Sequence, residues 1–326
     1  MTNSHTCHVP PVTHVINESF SGQRLDTFLA RLYPELSRSF LAKTVRTGGA
    51  LINGRPAKPS TELRCGQILT FFPPESPKPE LKPDPTILLD IIYEDSDLLA
   101  LNKPAGLTVH PGAGASGPTL AAAILAARPN LTVVGPQTRP GLVHRLDKNT
   151  SGVLVVAKNI SAMEFLSSAF AERRVEKRYL AFVTGSPPDR GCINSPIGRH
   201  PTLRHKMKEG LPQGKPAVTV FKVLKRFLKT NLALVHLKLL TGRTHQARVH
   251  LASIGTPVLA DPIYGRPPKN LTHLHPNLAP LLTRQFLHAR RLVVPHPEGK
   301  RMIFRAPWPD DFLALLSELI KIESEI

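Results

Sequence analysis

The stretch Gly141-Leu142-Val143-His144-Arg145-Leu146-Asp147-Lys148-Asn149-Thr150-Ser151-Gly152 joins a short apolar, strand-like run to a dense polar turn. The apolar run 153–157 that follows has the length and composition of a buried β-strand. Polar residues between two core strands lie where a rigid scaffold can present them to a ligand. Taken alone, Asp147 could instead close a turn, with Thr150 and Ser151 bonding to nearby backbone. The stretch therefore predicts either a structural turn or a site built around Asp147.

The chain around this stretch is mainly strand-like with few helices. Alternating apolar and polar residues over 232–239 predict a strand with one buried and one solvated face. The other candidate strands are 87–93, 98–101, 153–157, 179–184, 218–224 and 302–304. Ser161 and Glu164 are predicted to form the capping box of one helix, and a last helix is expected from about Asp310. We predict an α+β domain built on a mixed, mostly antiparallel sheet.

A smaller unit precedes this domain. Apolar residues at 25, 28, 29 and 32 share one helix face and Pro34 stops the helix, while Ser37 is expected to cap a second helix. Asn53-Gly54 predicts a hairpin turn, and 68–72 a closing strand. Six prolines between 73 and 85 predict a stiff extended linker. We divide the chain into an N-terminal tail or strand (1–21), a small domain (22–74), a proline-rich linker (75–86) and a large domain (87–326).

The charge of the chain favours a polyanionic partner. Among 326 residues, 42 are lysine or arginine and 24 are aspartate or glutamate, which gives a net charge of +18. Such a surplus is typical of RNA- or DNA-binding proteins, although a basic enzyme without a nucleic-acid role would also carry it. The first fifteen residues do not resemble a secretory signal, and no apolar run approaches the ~20 residues of a membrane span. Three unpatterned cysteines suggest neither disulfides nor a metal site, so we expect a cytoplasmic protein.

Several chemistries lack their sequence patterns. There is no Walker A motif, no G-x-G-x-x-G opening a helix, no H-E-x-x-H and no G-x-S-x-G elbow. Nucleotide hydrolysis, nicotinamide chemistry and zinc proteolysis are therefore disfavoured.

The stretch 144–152 resembles the H-R-L-D-x-x-T-S-G signature of the RluA-type pseudouridine synthases. Further segments resemble motifs of that family in order and spacing. They are Asn102-Lys103-Pro104-Ala105-Gly106-Leu107, Val109-His110-Pro111-Gly112, Arg178-Tyr179, Gly214-Lys215-Pro216-Ala217, 240–251, Asp261-Pro262-Ile263-Tyr264-Gly265 and Leu287-His288-Ala289-Arg290-Arg291. The N-terminal unit resembles the small αL-type RNA-binding domain, which points to the RluD-like branch acting on large-subunit ribosomal RNA. Asn149, Ala247 and Ala260 depart from the usual pattern, which weakens inference about the particular uridine.

The resemblance implies a central sheet of the pseudouridine synthase type and three catalytic residues. Asp147 would either attack C1′ or remove a proton from C2′ when uridine is converted to pseudouridine. Arg248 would form an ion pair with Asp147, and Tyr179 would stack on the target base and assist the C5 proton. Arg248 could instead contact phosphate, and Tyr179 could be ordinary core packing. The reaction has no redox step, so no cofactor and no metal are expected.

The target base must leave its stack, which makes base flipping part of the expected reaction. His144 and Arg145 are candidates for holding the flipped nucleotide or the emptied stack, and either could be structural. Further predicted RNA-binding residues are Arg38, Lys43 and Arg46 in the small domain and Arg199, Arg204 and Lys206 in the large one. We expect a monomer that binds ribosomal RNA and no membrane.

Two other functions remain open from the sequence. One is a non-catalytic RNA-binding or ribosome-assembly factor with the same fold. The other is a nucleosidase, which would need a second carboxylate near Asp147 as a general acid. We assign no function to the histidine- and proline-containing stretch 267–280.

Overall fold

The computed structural model describes residues 10–34, 36, 38–73, 81–111, 117–136, 138–203, 205–265, 271 and 275–325. The chain forms two compact units, Met1–Pro79 and Glu80–Ile326, and the division between them falls within the predicted linker. Ser37, Arg204 and most of the stretch 267–280 lie outside the described residues. No helix among the described residues is long and apolar enough to cross a membrane.

The smaller unit packs two helices on an antiparallel sheet. Its elements are β1 (Val12–Val15), α1 (Leu25–Leu32), α2 (Arg38–Arg46), β2 (Ala50–Ile52), β3 (Arg55–Pro56) and β4 (Ile68–Phe71), with the sheet order β1-β4-β2-β3. Asn53 and Gly54 have φ values of 49° and 76°, as a two-residue hairpin turn requires. Residues 12–15 of the predicted tail pair with β4 and so belong to this sheet.

The larger unit is built on a mixed sheet, to which the described residues contribute nine strands. They are β5 (Ile91–Glu94), β6 (Leu98–Lys103), β7 (Ser151–Ala157), β8 (Glu176–Thr184), β9 (Arg190–Asn194), β12 (Val218–Phe227), β13 (Leu232–Leu239), β14 (Leu287–Pro295) and β15 (Arg301–Arg305). Their order is β5-β6-β7-β14-β8-β13-β12-β9, with β15 paired to β14. Only the β7–β14 pairing among these is parallel, so the predicted α+β fold with a mostly antiparallel sheet is confirmed. A separate hairpin pairs β10 (Ile197–Arg199) with β11 (Met207–Glu209).

The helices of this unit differ more from the prediction. They are α3 (Leu120–Ala127), α4 (Ile160–Ala171), α5 (Gln246–Ser253) and α6 (Asp310–Ser324). The predicted Ser161–Glu164 capping box is wrong, because α4 begins earlier and the Asn159 side chain accepts the Ala162 N–H at 2.8 Å. The apolar run before Asp147 is not a strand either, and Leu142 makes only an isolated bridge to Val156.

The side chains of β8 show which helix packs on each face of the sheet, because successive side chains of a strand point to opposite sides. Tyr179, Ala181 and Val183 share a core cluster with residues of α5, on what we call the front face. Leu180 and Phe182 pack with residues of α6, on the rear face. Helix α5 therefore lies on the same side of the sheet as Tyr179.

Candidate active site

Asp147 and Arg248 form the ion pair expected for them, although 101 positions separate them in the chain. Arg248 Nη1 donates to Asp147 Oδ2 at 3.1 Å. The Arg248 side chain is 3% exposed and that of Asp147 is 19% exposed. An RNA phosphate therefore cannot readily reach Arg248, whereas a ligand in the pocket can reach Asp147. This burial argues against the alternative that Arg248 contacts phosphate.

Asp261 holds the other side of the Arg248 guanidinium. Its carboxylate accepts hydrogen bonds from Arg248 Nε at 2.6 Å and Nη2 at 2.8 Å, which is the bidentate geometry that fixes a guanidinium most firmly. Burial would raise the pKa of Asp261, but hydrogen bonds from Arg248 and from the Ile263 and Tyr264 N–H groups outweigh it and lower the pKa. Asp261 belongs to a segment that resembles a family motif, but no role for it was predicted from the sequence.

Tyr179 lies on β8 and lines the same pocket as Asp147. Its ring also packs against two core clusters of the large unit. Burial and then the charge of Asp147 raise the pKa of Tyr179 above its usual value. The hydroxyl is therefore neutral near pH 7, and the ring offers a fixed apolar surface beside the carboxylate.

His245 is a second pocket residue that sequence reasoning missed. It precedes α5 with φ 56° and ψ 20°, a left-handed conformation that is uncommon for residues other than glycine. Its Nδ1 lies 2.8 Å from the Tyr264 hydroxyl, which also accepts the Met207 N–H at 2.8 Å. The Tyr264 hydroxyl is positioned to donate to Nδ1, and in that arrangement the His245 proton is on Nε2, 4.0 Å from Asp147 Oδ1. Burial lowers the pKa of His245, which favours this neutral form.

Two buried cations support the turn that follows Asp147. Lys103 Nζ donates to the carbonyls of Pro104, Leu107 and Lys148 at 2.6, 2.9 and 3.0 Å. Burial lowers the pKa of Lys103 to about 7, while three carbonyl acceptors favour its charged form because an ammonium has three donors.

Arg284 supports the same turn from another part of the chain. Its Nη1 donates to the Asn149 carbonyl at 3.1 Å, and its Nε and Nη2 bind Asp311 at 2.6 and 2.9 Å. The Thr150 N–H closes the turn on the Asp147 carbonyl at 3.0 Å. The backbone that carries Asp147 is thus held by hydrogen bonds from distant segments of the chain.

His144 and Arg145 occupy different environments. His144 Nε2 accepts the Val155 N–H at 2.9 Å, and its ring stacks on Phe170 with centroids 4.6 Å apart. Burial and the charge of Lys177 lower the pKa of His144 to about 3, so the ring is neutral and its remaining proton is on Nδ1. Arg145 is exposed at the pocket wall. These contacts favour the structural interpretation of His144, while RNA contact by either residue remains a prediction.

The pocket around Asp147 has a volume of about 320 Å³, at the small end of ligand sites in proteins. Asp147 is the one acidic residue among the described residues that line the pocket. The basic lining residues are Arg145, Arg173, Lys177, Arg243 and Arg248. Lys177 Nζ donates to the Thr241 carbonyl at 2.9 Å, and burial lowers the pKa of Lys177 to about 8. A carboxylate enclosed by cations suits a small anionic ligand such as a nucleotide.

The other predicted RNA-binding residues lie outside this pocket lining. In the small unit, Arg38 is 53% exposed and pairs with Asp26 at 3.0 Å, while Lys43 and Arg46 are exposed near the end of α2. In the large unit, Arg199 is exposed on β10 and Lys206 is half-buried in the β10–β11 turn. Their RNA contacts remain predictions.

Two family descriptions match the chain, RNA pseudouridylate synthase over residues 97–253 and S4 domain over residues 23–69. An "Uncharacterized RNA pseudouridine synthase" of Aquifex aeolicus is 42% identical over 91% of this chain and 94% of its own length. A "Ribosomal large subunit pseudouridine synthase D" of Escherichia coli K12 is 38% identical over 96% of this chain and 95% of its own. Among solved structures, Human RNA Pseudouridylate Synthase Domain Containing 1 is similar at a TM-score of 0.55 and 32% identity, over 70% of this chain and 86% of that chain.

Proposed function

The chain belongs to the RNA pseudouridylate synthase family, and we propose that it isomerises uridine to pseudouridine in large-subunit ribosomal RNA with Asp147 as the catalytic residue. The observation that carries the role of Asp147 is its pairing with the buried Arg248 in a cation-lined pocket that also holds Tyr179. Relatives named as large-subunit synthases match more than nine-tenths of the chain, which supports this substrate.

The geometry distinguishes the two oxygens of the Asp147 carboxylate. Oδ2 accepts the hydrogen bond from Arg248, while Oδ1 faces the His245 Nε2 at a distance of 4.0 Å, too long for a hydrogen bond. Oδ1 is therefore the oxygen available to the ribose. It either attacks C1′ as the N1–C1′ bond breaks or accepts the proton from C2′. Arg248 keeps the carboxylate ionised and turned towards the pocket in both cases.

Tyr179 supports the base in this proposal. The flipped uracil stacks on its ring while the N1–C1′ bond is broken and C5 is turned towards C1′. Because the pKa of Tyr179 is raised, its hydroxyl takes part as a neutral group and not as a phenolate base. No step of the isomerisation transfers electrons to an acceptor, so the proposed reaction requires no redox cofactor.

The substrate reaches Asp147 after base flipping, which costs a few kcal/mol for a stacked base. In this proposal Arg145 and Arg243, which line the pocket, contact the phosphates of the displaced nucleotide. The S4 domain, with Arg38, Lys43 and Arg46, supplies further RNA contacts. We propose that the protein acts as a monomer, and a ribosomal RNA substrate suggests a cytoplasmic location.

One experiment tests this function. Unmodified large-subunit ribosomal RNA is incubated with the wild type and with Asp147→Asn, and pseudouridine is mapped chemically. We expect modification by the wild type and none by the variant. RNA binding without modification by the wild type would indicate a non-catalytic factor, and release of free uracil would indicate a nucleosidase. Either outcome would overturn the proposal.

A further inference from the structure

The rear face of the large sheet carries a row of cations across four neighbouring strands. Residues paired directly across strands lie on the same face. Lys238 of β13 pairs with Arg178 of β8, which pairs with Arg291 of β14, which in turn pairs with Arg305 of β15. Adjacent strands are ~4.8 Å apart, so the row spans about 14 Å. Arg178 precedes Tyr179, so the row lies on the side of the sheet opposite the active site.

A second row extends this basic surface towards the other edge of the sheet. Arg190 of β9 pairs with Lys222 of β12, which pairs with His236 of β13. His236 and Lys238 lie two residues apart on β13 and so point to the same face. The two rows therefore form one continuous surface. We call it the rear basic face and define it by Arg178, Arg190, Lys222, His236, Lys238, Arg291 and Arg305.

This face is open to solvent. Helix α6 covers a different part of the rear side, where its core cluster includes Leu180 and Phe182, which lie further along β8 than Arg178. Arg190, Lys222 and Arg305 are exposed, Arg178 and Lys238 are 38% and 42% exposed, and the edge strand β15 also presents the exposed Arg301 and Ile303. An antiparallel sheet often has one solvated face, but solubility alone does not require charges of one sign on it.

The face is poorly neutralised within the protein. Among the described residues, Glu176 is the acidic residue that pairs with cations of this face. Its Oε1 lies 2.8 Å from Arg178 Nε and 2.5 Å from Arg291 Nη1, and its Oε2 lies 3.8 Å from Lys238 Nζ. One carboxylate thus serves three cations. Arg190, Lys222 and Arg305 form no ion pair within the described part of the chain. Like charges directly opposite each other on neighbouring strands are destabilising, which a bound polyanion would relieve.

We propose that the rear basic face is a second RNA-binding surface, which holds the phosphate backbone of a segment of the substrate RNA away from the target uridine. The inference rests on the proposed function, because that function supplies an RNA long enough to reach both sides of the sheet. The spaced cations contact phosphates and not base edges, so binding at this face is independent of sequence and sensitive to salt. A short stem-loop that fills the active site does not reach the face.

The test compares two triple variants of equal charge. Arg190→Gln/Lys222→Gln/Arg305→Gln removes exposed cations of the face and leaves the Glu176 ion pairs intact. Lys82→Gln/Lys300→Gln/Lys321→Gln removes three exposed cations elsewhere. Binding to a large-subunit ribosomal RNA transcript and to a short stem-loop is measured at several salt concentrations. We expect the first triple to bind the transcript about tenfold more weakly than the control triple and to lower the log–log salt slope by about 2 to 3. The two triples should bind the stem-loop equally.

A second measurement needs no change to the face. Cys192 of β9 is exposed and pairs with Val220, which pairs with Lys238, so its thiol reports on this surface. With Cys7 and Cys65 replaced by serine, alkylation of Cys192 by N-ethylmaleimide should slow when the transcript binds and not when the stem-loop binds.

The outcomes separate this inference from the proposed function. Equal transcript binding by the two triples, or alkylation of Cys192 that the transcript does not slow, overturns the second RNA surface and leaves an acidic protein as the partner to test. If the wild type forms no pseudouridine while the triples still differ and Cys192 is protected, the proposed function fails and the RNA surface stands.

Discussion

Asp261 binds Arg248 through two hydrogen bonds of 2.6 and 2.8 Å, on the side of the guanidinium turned away from Asp147. Arg248 therefore joins a carboxylate that is closed to solvent, with 0% side-chain exposure, to one that the pocket exposes. The buried Asp261 fixes the position of Arg248, and Arg248 in turn fixes the position of Asp147.

Replacing Arg248 by methionine should abolish turnover while the affinity for RNA falls less than about threefold, because the side chain is buried and contacts carboxylates. The variant leaves Asp261 buried without its partner, a change that costs ~3–5 kcal/mol in other proteins. Urea unfolding is therefore measured alongside single-turnover rates and RNA binding. Normal turnover in folded Arg248→Met would remove Arg248 from the mechanism.

Asp261→Asn should lower the single-turnover rate by ~10²-fold with little effect on RNA affinity, because a neutral amide holds Arg248 less firmly and the alignment of Asp147 suffers. Glu94→Gln is the matched control, since it also weakens a bidentate arginine–carboxylate pair, that of Arg128, which touches neither Arg248 nor the turn after Asp147. A rate loss equal in the two variants would indicate general loosening of the domain and no particular role for Asp261.

Tyr264→Phe should lower the rate about tenfold, because it removes the hydroxyl that donates to His245 Nδ1 and so fixes the proton on Nε2. The nitrogen chemical shifts of His245 should then report a mixture of tautomers where the wild type shows one. Tyr93→Phe, at a tyrosine of β5 outside the pocket lining, is the control. An unchanged tautomer in Tyr264→Phe would contradict the assignment.

The stability of the protein should fall in acid partly through His144. Its pKa is about 3 in the folded chain and about 6.5 when unfolded, so between these values the unfolded state binds more protons. The free energy of unfolding should therefore decrease as pH falls below 6.5, by at most ~1.4 kcal/mol per pH unit from this group. His144→Gln does not titrate, so the wild type should lose stability relative to it between pH 7 and 5. Parallel curves for the two proteins would contradict a buried, neutral His144.

The sequence predicted the parts of the fold that depend on local pattern. Alternation marked β13 at its observed bounds, Leu232–Leu239, and Asn53-Gly54 marked the hairpin turn. Helices α3 and α5 were missed because six of the eight residues in each are buried, so neither shows the one-sided apolar stripe that identifies a surface helix. Strand β14 was missed because Arg290 and Arg291 interrupt its apolar run.

Of the contacts in the site, only the ion pair that the family resemblance implied was predicted from the sequence. The resemblance paired Asp147 with Arg248, and the structure brings them together. The parts played by Asp261, His245 and Tyr264 depend on atoms that meet only in the folded chain, such as the Met207 N–H that orients the Tyr264 hydroxyl. No periodicity or spacing in the sequence encodes these contacts.

The Arg284–Asp311 pair has a consequence for the order in which the domain folds. Arg284 holds the turn after Asp147 across 135 positions, at Asn149, and is itself held by Asp311 in α6. While α6 is not yet packed, Arg284 lacks its carboxylate partner, and Lys103 is the buried cation left to support the turn. The backbone that carries Asp147 therefore gains its full set of contacts only when α6 folds onto the sheet.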